Sequence, residues 1–307
     1  MRFRKMTYSR SRVNGFVWLL VAVLILPLFP TFSQIPDEPQ QSKTGPEPPP
    51  GVKPKLPVVP LMPGGLEQTL PVPGYRWRHG CGPTAVGMVV GYYDMQGYED
   101  LIPGSAATQT ETVSQCIASQ ANAGNPKHYE DYCLPMDDTT TSILPDKSEP
   151  PSGDEHPNDS IADFMKTSWS AVNNRYGWSW SNDVGPAFSS YVNLRNSSYG
   201  PFWTEYYMSN GTLNWSVLTT EINNGRPMVF LVDTDANGQT DHFVAVVGYR
   251  DSPTQQYGCL DTWIPPDVIR WCEFKAMAQG QSWGVAFGWS FRLAPLPLAV
   301  RHWQFFE

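Results

Sequence analysis

Three side chains that are far apart in the sequence form a set that could cleave an acyl bond: Cys81, His242 and Asp261. A thiolate is a strong nucleophile, an imidazole can take and return its proton, and a carboxylate can orient the imidazole. Cys81 opens the segment CGPTAVGMVVGYYDMQG, which predicts a helix because its apolar residues have helical spacing and Pro83 suits the first turn. A helix N-terminus is expected to lower the pKa of this thiol and to offer N–H donors to an oxyanion. The structural alternative is a buried cysteine inside a core.

His242 and Asp261 fall at positions that could hold a base rigidly. His242 opens the apolar segment HFVAVVGY, which predicts a β-strand, and Asp261 follows in GCLDTW at the end of the next predicted strand. Asp261 is therefore expected to orient the imidazole, and Trp263 to shield that contact from water. Each residue alone also fits a plain structural role, a hydrogen-bonded histidine under a turn and a turn aspartate.

The elements that would position these residues follow one another in a simple order. The pattern predicts helices over 81–97, 161–176, 183–194 and 215–224 and strands over 199–208, 227–234, 242–249, 257–263 and 282–293. Residues 98–156 are polar and rich in Gly, Pro, Ser and Asp, which predicts a long irregular insertion. Helices that precede an antiparallel sheet indicate an α+β domain of two lobes over residues 66–307, with the nucleophile helix in its N-terminal helical part.

Residues 1–64 predict export rather than a folded domain. The first 34 residues carry five basic residues and no acidic one, and residues 16–32 are apolar throughout, which is typical of a signal peptide or an uncleaved membrane anchor. Residues 35–64 contain ten prolines and predict an extended linker without a packed core. The chain is therefore expected to be extracytoplasmic, either secreted or attached to a membrane.

Composition excludes several other classes of function. The chain has 307 residues and a net charge of −8, and the rest of the chain is more acidic than this value because its first 34 residues are basic. An acidic domain lacks the basic surface that nucleic-acid binding requires, so no nucleic-acid partner is expected. The sequence also has no Walker loop, no strand-linked GxGxxG and no CxxC pair.

An odd number of cysteines in an exported chain leaves at least one thiol unpaired. The five cysteines are Cys81, Cys116, Cys133, Cys259 and Cys272. Cys116 and Cys133 share the predicted insertion, and Cys259 and Cys272 lie near each other close to the C-terminus. These two pairs are the candidate disulfides, which leaves Cys81 free, although sequence does not determine the connectivity.

Together, the blocks around the three residues resemble a known family. The order of helix cysteine, strand histidine and next-strand aspartate resembles the papain-like cysteine peptidases. The blocks GCGPTA, DHFVAVVGY and DTW are similar to the bacteriocin-leader, or double-glycine, peptidase-like domains. This resemblance implies a papain-like fold and a peptide or protein substrate, with Cys81 as nucleophile, His242 as general base and acid, and Asp261 as the orienting residue.

One residue of that family's pattern is missing. The family usually has a glutamine shortly before the nucleophile, where it donates to the oxyanion, whereas residues 74–80 here contain none. Tyr75 and His79 are candidate replacements, as is Trp77, and Gln68 is the nearest glutamine upstream. The loss of one oxyanion donor can cost about 10²–10³ in rate.

A second candidate site is the acidic segment DTDANGQTD. Asp233, Asp235, Asn237 and Asp241 have the alternation of the first half of a calcium loop, but the twelfth position is Val244 rather than Glu. A polar turn between two strands is the favoured interpretation, since Asn-Gly is a common turn signal. No other cofactor is expected.

The leading hypothesis is an exported thiol peptidase that uses a Cys-His-Asp triad. A non-catalytic surface module that binds peptide or glycan on a proline-rich stalk is the alternative from another class. A related cysteine amidase or acyltransferase would use the same three residues on a different substrate.

Overall fold

The computed structural model describes residues 41–52, 60, 64–118, 158–167, 175–209 and 211–296. The chain divides into two compact units, Met1–Asp37 and Glu38–Glu307, and every described residue belongs to the second. The predicted signal or anchor over residues 1–34 lies outside the described residues. Among the residues that are described, none of the helices has the length and apolar character needed to cross a bilayer.

The described residues form five α-helices and nine strands. The helices are α1 Cys81–Met95, α2 Glu111–Ile117, α3 Ile161–Phe164, α4 Val184–Arg195 and α5 Trp215–Asn223. The strands are β1 Gln41–Thr44, β2 Glu67–Thr69, β3 Arg175–Trp180, β4 Trp203–Met208, β5 Met228–Asp233, β6 His242–Arg250, β7 Gln256–Leu260, β8 Arg270–Glu273 and β9 Gly284–Arg292.

One antiparallel sheet dominates the fold. Its strand order is β4-β9-β5-β6-β7-β8, and β2 pairs with β6 outside this path. Strands β1 and β3 form a separate antiparallel pair. The predicted α+β class, with the nucleophile helix before an antiparallel sheet, is confirmed.

The sheet has a hydrophobic cluster on each face. Alternate residues of a strand point to opposite faces. Val229 and Leu231 of β5 belong to the cluster that contains α1, whereas Phe230 and Val232 belong to a second cluster with residues of α5. Helix α1 is buried from its first residue to Asp94 and packs on β6, so the core fixes the helix of Cys81 against the strand of His242.

Two predicted segments differ from the structure. The helix expected over residues 161–176 extends only over Ile161–Phe164, and Ser160 forms a capping box with Asp163 at its start. Lys166 then adopts a left-handed conformation, with φ of 50°, and the aromatic segment RYGWSW forms β3. Alternating aromatic residues favour a pleated strand over a helix.

The insertion predicted to be irregular contains a helix at its start. Thr110 caps α2 by accepting a hydrogen bond from the backbone N–H of Val113, and Cys116 and Ile117 are buried on the helical side of the sheet. The remainder of the insertion, residues 119–157, lies outside the described residues.

The linker prediction is wrong for Gln41–Thr44. These residues form β1, which pairs antiparallel with β3, and both Ser42 and Thr44 are buried. The proline count of residues 35–64 hides the fact that QSKT itself contains no proline, so every residue of this short segment keeps its backbone donor.

Candidate active site

Cys81 is the first residue of α1 and is completely buried. Gly80 precedes it with φ of 151° and supplies no side-chain cap, so the first N–H groups of the helix have no capping side chain. Strand β3 lies very close to this turn. A Cβ added to Gly177 would be only 2.4 Å from the Cα of Gly80. The absence of that side chain lets β3 run beside the thiol.

His242 is the first residue of β6, and its ring is held from both nitrogens and one face. Nε2 lies 2.8 Å from the backbone carbonyl oxygen of Asp261. A carbonyl only accepts, so Nε2 carries the proton and Nδ1 of the neutral ring is the acceptor. The indole of Trp263 stacks on the imidazole with a centroid separation of 3.7 Å.

The sulfur and the imidazole meet at the start of β6. The backbone N–H of Phe243, the residue after His242, donates to the sulfur of Cys81 at 3.3 Å. The hydroxyl of Thr44 lies 2.6 Å from Nδ1 of His242 and 3.7 Å from the same sulfur. The predicted nucleophile and the predicted base therefore face one common point.

Asp261 is beside the histidine, but its carboxylate does not contact the imidazole. The carboxylate binds Nε of Arg270 at 2.6 Å and accepts the backbone N–H groups of Trp263 and Ile264. The predicted contact between carboxylate and imidazole is corrected: the main-chain carbonyl of Asp261 orients His242. Sequence analysis missed Arg270, since nothing in the spacing relates it to this turn.

The ion pair between Asp261 and Arg270 predicts a large loss of stability in Asp261→Asn. Both side chains are at most 1% exposed, and the Arg270 guanidinium also lies over the ring of Trp283 at 4.3 Å. An Asn leaves a buried cation without its counter-charge, so we expect the free energy of unfolding to fall by about 3 kcal/mol. Urea denaturation measures this loss.

The matched control is the double variant Asp261→Asn with Arg270→Met, which removes both charges and should recover part of the lost stability. If Asp261→Asn kept its full stability and lost only activity, the carboxylate would act directly on the imidazole.

Burial determines the ionisation of both Cys81 and His242. It raises the pKa of Cys81 above the ordinary 9.0, the charge of Asp241 acts in the same direction, and hydrogen bonds to the sulfur do not overcome it. Desolvation therefore acts against the lowering of the pKa that is expected at a helix N-terminus. Burial also lowers the pKa of His242 to about 4. Near neutral pH the thiol and the imidazole are therefore both uncharged.

The raised pKa of Cys81 predicts that this thiol reacts slowly with iodoacetamide at neutral pH and faster at alkaline pH. Only the thiolate reacts, and its fraction grows as the pH rises toward the thiol pKa. The rate of alkylation of Cys81, followed by mass spectrometry, should still be increasing above the ordinary value of 9.0. A rate that reaches a plateau below neutral pH would show that the thiolate already dominates in the folded chain.

Two of the candidate oxyanion donors lie away from the sulfur. Gln68 is exposed on β2 and pairs with Tyr249, seven residues along β6 from His242, or about 23 Å along an extended strand. The hydroxyl of Tyr75 is buried and donates to the carbonyl of Ala106 at 2.6 Å. These two residues are therefore not brought to the cysteine.

The other two candidates lie nearer. His79 is completely buried two residues before Cys81, with a left-handed φ of 56°. The indole N–H of Trp77 donates to the backbone carbonyl of Thr44 at 3.3 Å. Trp77 thus donates to the carbonyl of a residue whose hydroxyl lies near both Cys81 and His242.

The acidic segment before His242 uses its carboxylates within its own turn. Asp233 accepts two backbone N–H groups of the loop, and Asp241 accepts the N–H and the hydroxyl of Thr234. Asp235 and Asn237 are exposed and bond to each other. Among the described residues, no group of three or more His, Cys, Asp or Glu side chains could hold a metal ion. These contacts fit the polar turn, and calcium binding stays a prediction.

The described cysteines are free thiols: Cys81, Cys116, Cys259 and Cys272. Cys259 and Cys272 lie on neighbouring strands, but Cys259 is opposite Arg270, so the two cysteines are diagonal neighbours. Diagonal Cα atoms are about 7–8 Å apart, beyond the usual disulfide range. The predicted Cys259–Cys272 disulfide is therefore not formed. Cys133, the predicted partner of Cys116, lies outside the described residues.

The model of the Peptidase_C39 like family matches residues 69–286. The chain is also similar to the active wild-type interpain A cysteine protease of Prevotella intermedia, with 10% identity and a TM-score of 0.38 over 76% of this chain and 98% of that chain. No curated protein matches the chain.

Proposed function

This chain belongs to the peptidase C39-like family, and we propose that it hydrolyses peptide bonds with Cys81 as the nucleophile and His242 as the general base. The observation that carries the proposal is the shared contact of the Cys81 sulfur and His242 Nδ1 with one hydroxyl, at 3.7 and 2.6 Å. A thiol and an unprotonated ring nitrogen that face the same point can exchange a proton when substrate replaces that hydroxyl.

The reaction would proceed in two halves. In the first, Nδ1 of His242 takes the thiol proton, the sulfur of Cys81 bonds to the substrate carbonyl carbon, and the C–N bond breaks as the imidazolium returns the proton to the leaving amine. In the second, water attacks the thioester carbon while His242 takes a proton from that water. The C–S bond then breaks, the carboxylic acid leaves, and the imidazolium returns its proton to the sulfur, which restores the thiol.

Two features would stabilise the intermediates. The uncapped first turn of α1 offers backbone N–H groups to the oxyanion, and the indole N–H of Trp77 would act in place of the missing glutamine. The carbonyl of Asp261, 2.8 Å from Nε2, would accept a hydrogen bond from the ring N–H in every step and so favour the imidazolium. Trp263 would keep water from that hydrogen bond.

The test is the incubation of the purified chain with a mixture of unstructured peptides, followed by mass spectrometry of the products. We expect new peptide termini, and we expect iodoacetamide to stop their formation by alkylating Cys81. Products that form without a free thiol would overturn the proposal, and so would the absence of products at every pH between 6 and 10 from both the wild-type chain and a variant in which residues 41–45 no longer cover Cys81. Transfer of the acyl group to an added amine, without free acid, would identify the acyltransferase alternative instead.

Export is a separate part of the proposal. It is supported by the basic residues before the apolar segment 16–32. Cell fractionation of a producing strain should find the chain outside the cytoplasm, and recovery in the cytoplasm alone would contradict export.

A further inference from the structure

Gln41–Gly45, named here the cleft strand, runs through the candidate active site as an extended peptide. It pairs antiparallel with β3, which lies beside the turn of Cys81. On the opposite side, the backbone N–H of Lys43 donates to the carbonyl of Asp241 at 3.0 Å. The cleft strand therefore has backbone partners on both of its edges, and its pairing with β3 is the way in which an extended peptide binds by strand addition.

Two tryptophans hold the C-terminal end of the cleft strand through its carbonyls. The indole N–H of Trp77 donates to the carbonyl of Thr44 at 3.3 Å, and that of Trp263 donates to the carbonyl of Gly45 at 2.8 Å. Trp263 is also the ring that stacks on His242. The indole that covers His242 thus also binds a peptide carbonyl.

The side chains of the cleft strand that face inward are small and polar. Ser42 is 0% exposed and Thr44 is 2% exposed, and the hydroxyl of Thr44 lies 3.7 Å from the sulfur of Cys81. The Thr44 hydroxyl also binds Nδ1 of His242, the nitrogen that would take the thiol proton. A substrate carbonyl cannot reach the sulfur until this hydroxyl leaves.

From these contacts we propose that Gln41–Gly45 is a built-in competitor of the substrate, and that the cleft accepts extended peptides with small side chains at the positions of Ser42 and Thr44. This inference rests on the proposed function for the identity of the competing ligand. The chain would be inactive toward substrate while the cleft strand is bound, and it would become active when that strand is displaced.

The experiment compares the rate of iodoacetamide alkylation at Cys81 in the full chain and in two variants at Lys43. Lys43→Pro removes the N–H that donates to Asp241, whereas Lys43→Ala removes the same side chain and keeps that donor. We expect Cys81 of Lys43→Pro to react about tenfold faster, which corresponds to a loss of about 1.4 kcal/mol in the free energy with which the cleft strand binds. Lys43→Ala should react at the wild-type rate. Equal rates in all three folded chains would overturn the proposal.

A second measurement uses the wild-type chain and does not depend on the folding of a variant. A bulky maleimide attached to Cys81 should expel the cleft strand, so amide hydrogen exchange of residues 41–45 should become faster than in the unmodified chain. Unchanged exchange would contradict the proposal. Peptide hydrolysis is assayed in parallel: faster alkylation of Lys43→Pro without hydrolysis would support the competitor and count against the peptidase.

Discussion

Cys81→Ala is expected to abolish peptide hydrolysis, with kcat/KM lower by about 10⁴-fold or more. The sulfur is the one protein atom that forms a covalent bond to the substrate in the proposed mechanism. Its loss therefore removes the route through an acyl-enzyme. The assay uses whichever of the wild-type chain and Lys43→Pro has the higher activity, so that the cleft strand does not hide the effect. Alanine fills most of the same buried space, and the folded state should be retained.

Cys116→Ala is the matched control for Cys81→Ala. Cys116 is also a buried free thiol, but it lies on α2 and has no contact with His242 among those observed. Its substitution should leave the rate within about a factor of two, since it removes no reacting group. Equal loss of activity in both variants would mean that the effect is structural.

His242→Gln is expected to lower kcat by about 10²- to 10⁴-fold with a smaller change in KM, because general base catalysis contributes about that factor. Glutamine can still donate to the carbonyl of Asp261, but it cannot take the thiol proton. The pH profile distinguishes this role from a structural one. In His242→Gln the remaining rate should increase with pH only as the thiolate fraction of Cys81 increases. The part of the pH profile that depends on the titration of the histidine should be absent.

Retained activity in His242→Gln at neutral pH would contradict the assignment of the base. Loss of cooperative unfolding in this variant would show a structural effect, and the kinetic comparison would then use His242→Asn, which leaves more space in the site.

The sequence could predict Cys81 and His242 because each one opens an element with clear periodicity. The apolar residues of α1 and of β6 are buried in the core, and their periodicity shows in the sequence where each element begins. The first residue of each element can therefore be located from the sequence. Their proximity follows from the packing of α1 on β6.

The contact of Asp261 could not be predicted in the same way. Asp261 lies beside His242 through its main-chain carbonyl, but its carboxylate has a charged partner in Arg270, which belongs to a strand that the sequence pattern did not indicate. A buried carboxylate takes the charged partner that geometry offers, and that choice depends on the pairing of β7 with β8.

The role of Gln41–Thr44 was missed for a compositional reason. Ten prolines in residues 35–64 favour an extended linker, and extended backbone is also what a peptide adopts when it pairs with a strand. Four residues have too little periodicity to distinguish these two states. Only the groove between β3 and the residues before His242 determines which one forms.

The catalytic role of Cys81 can be tested by reaction of the folded chain with a peptide aldehyde that carries ¹³C at its carbonyl carbon. We expect a thiohemiacetal signal in the carbon NMR spectrum of the Lys43→Pro chain and no such signal in the same chain with Cys81→Ala. A signal that persists without Cys81, or its absence from both chains at saturating aldehyde, would contradict a catalytic role for this thiol.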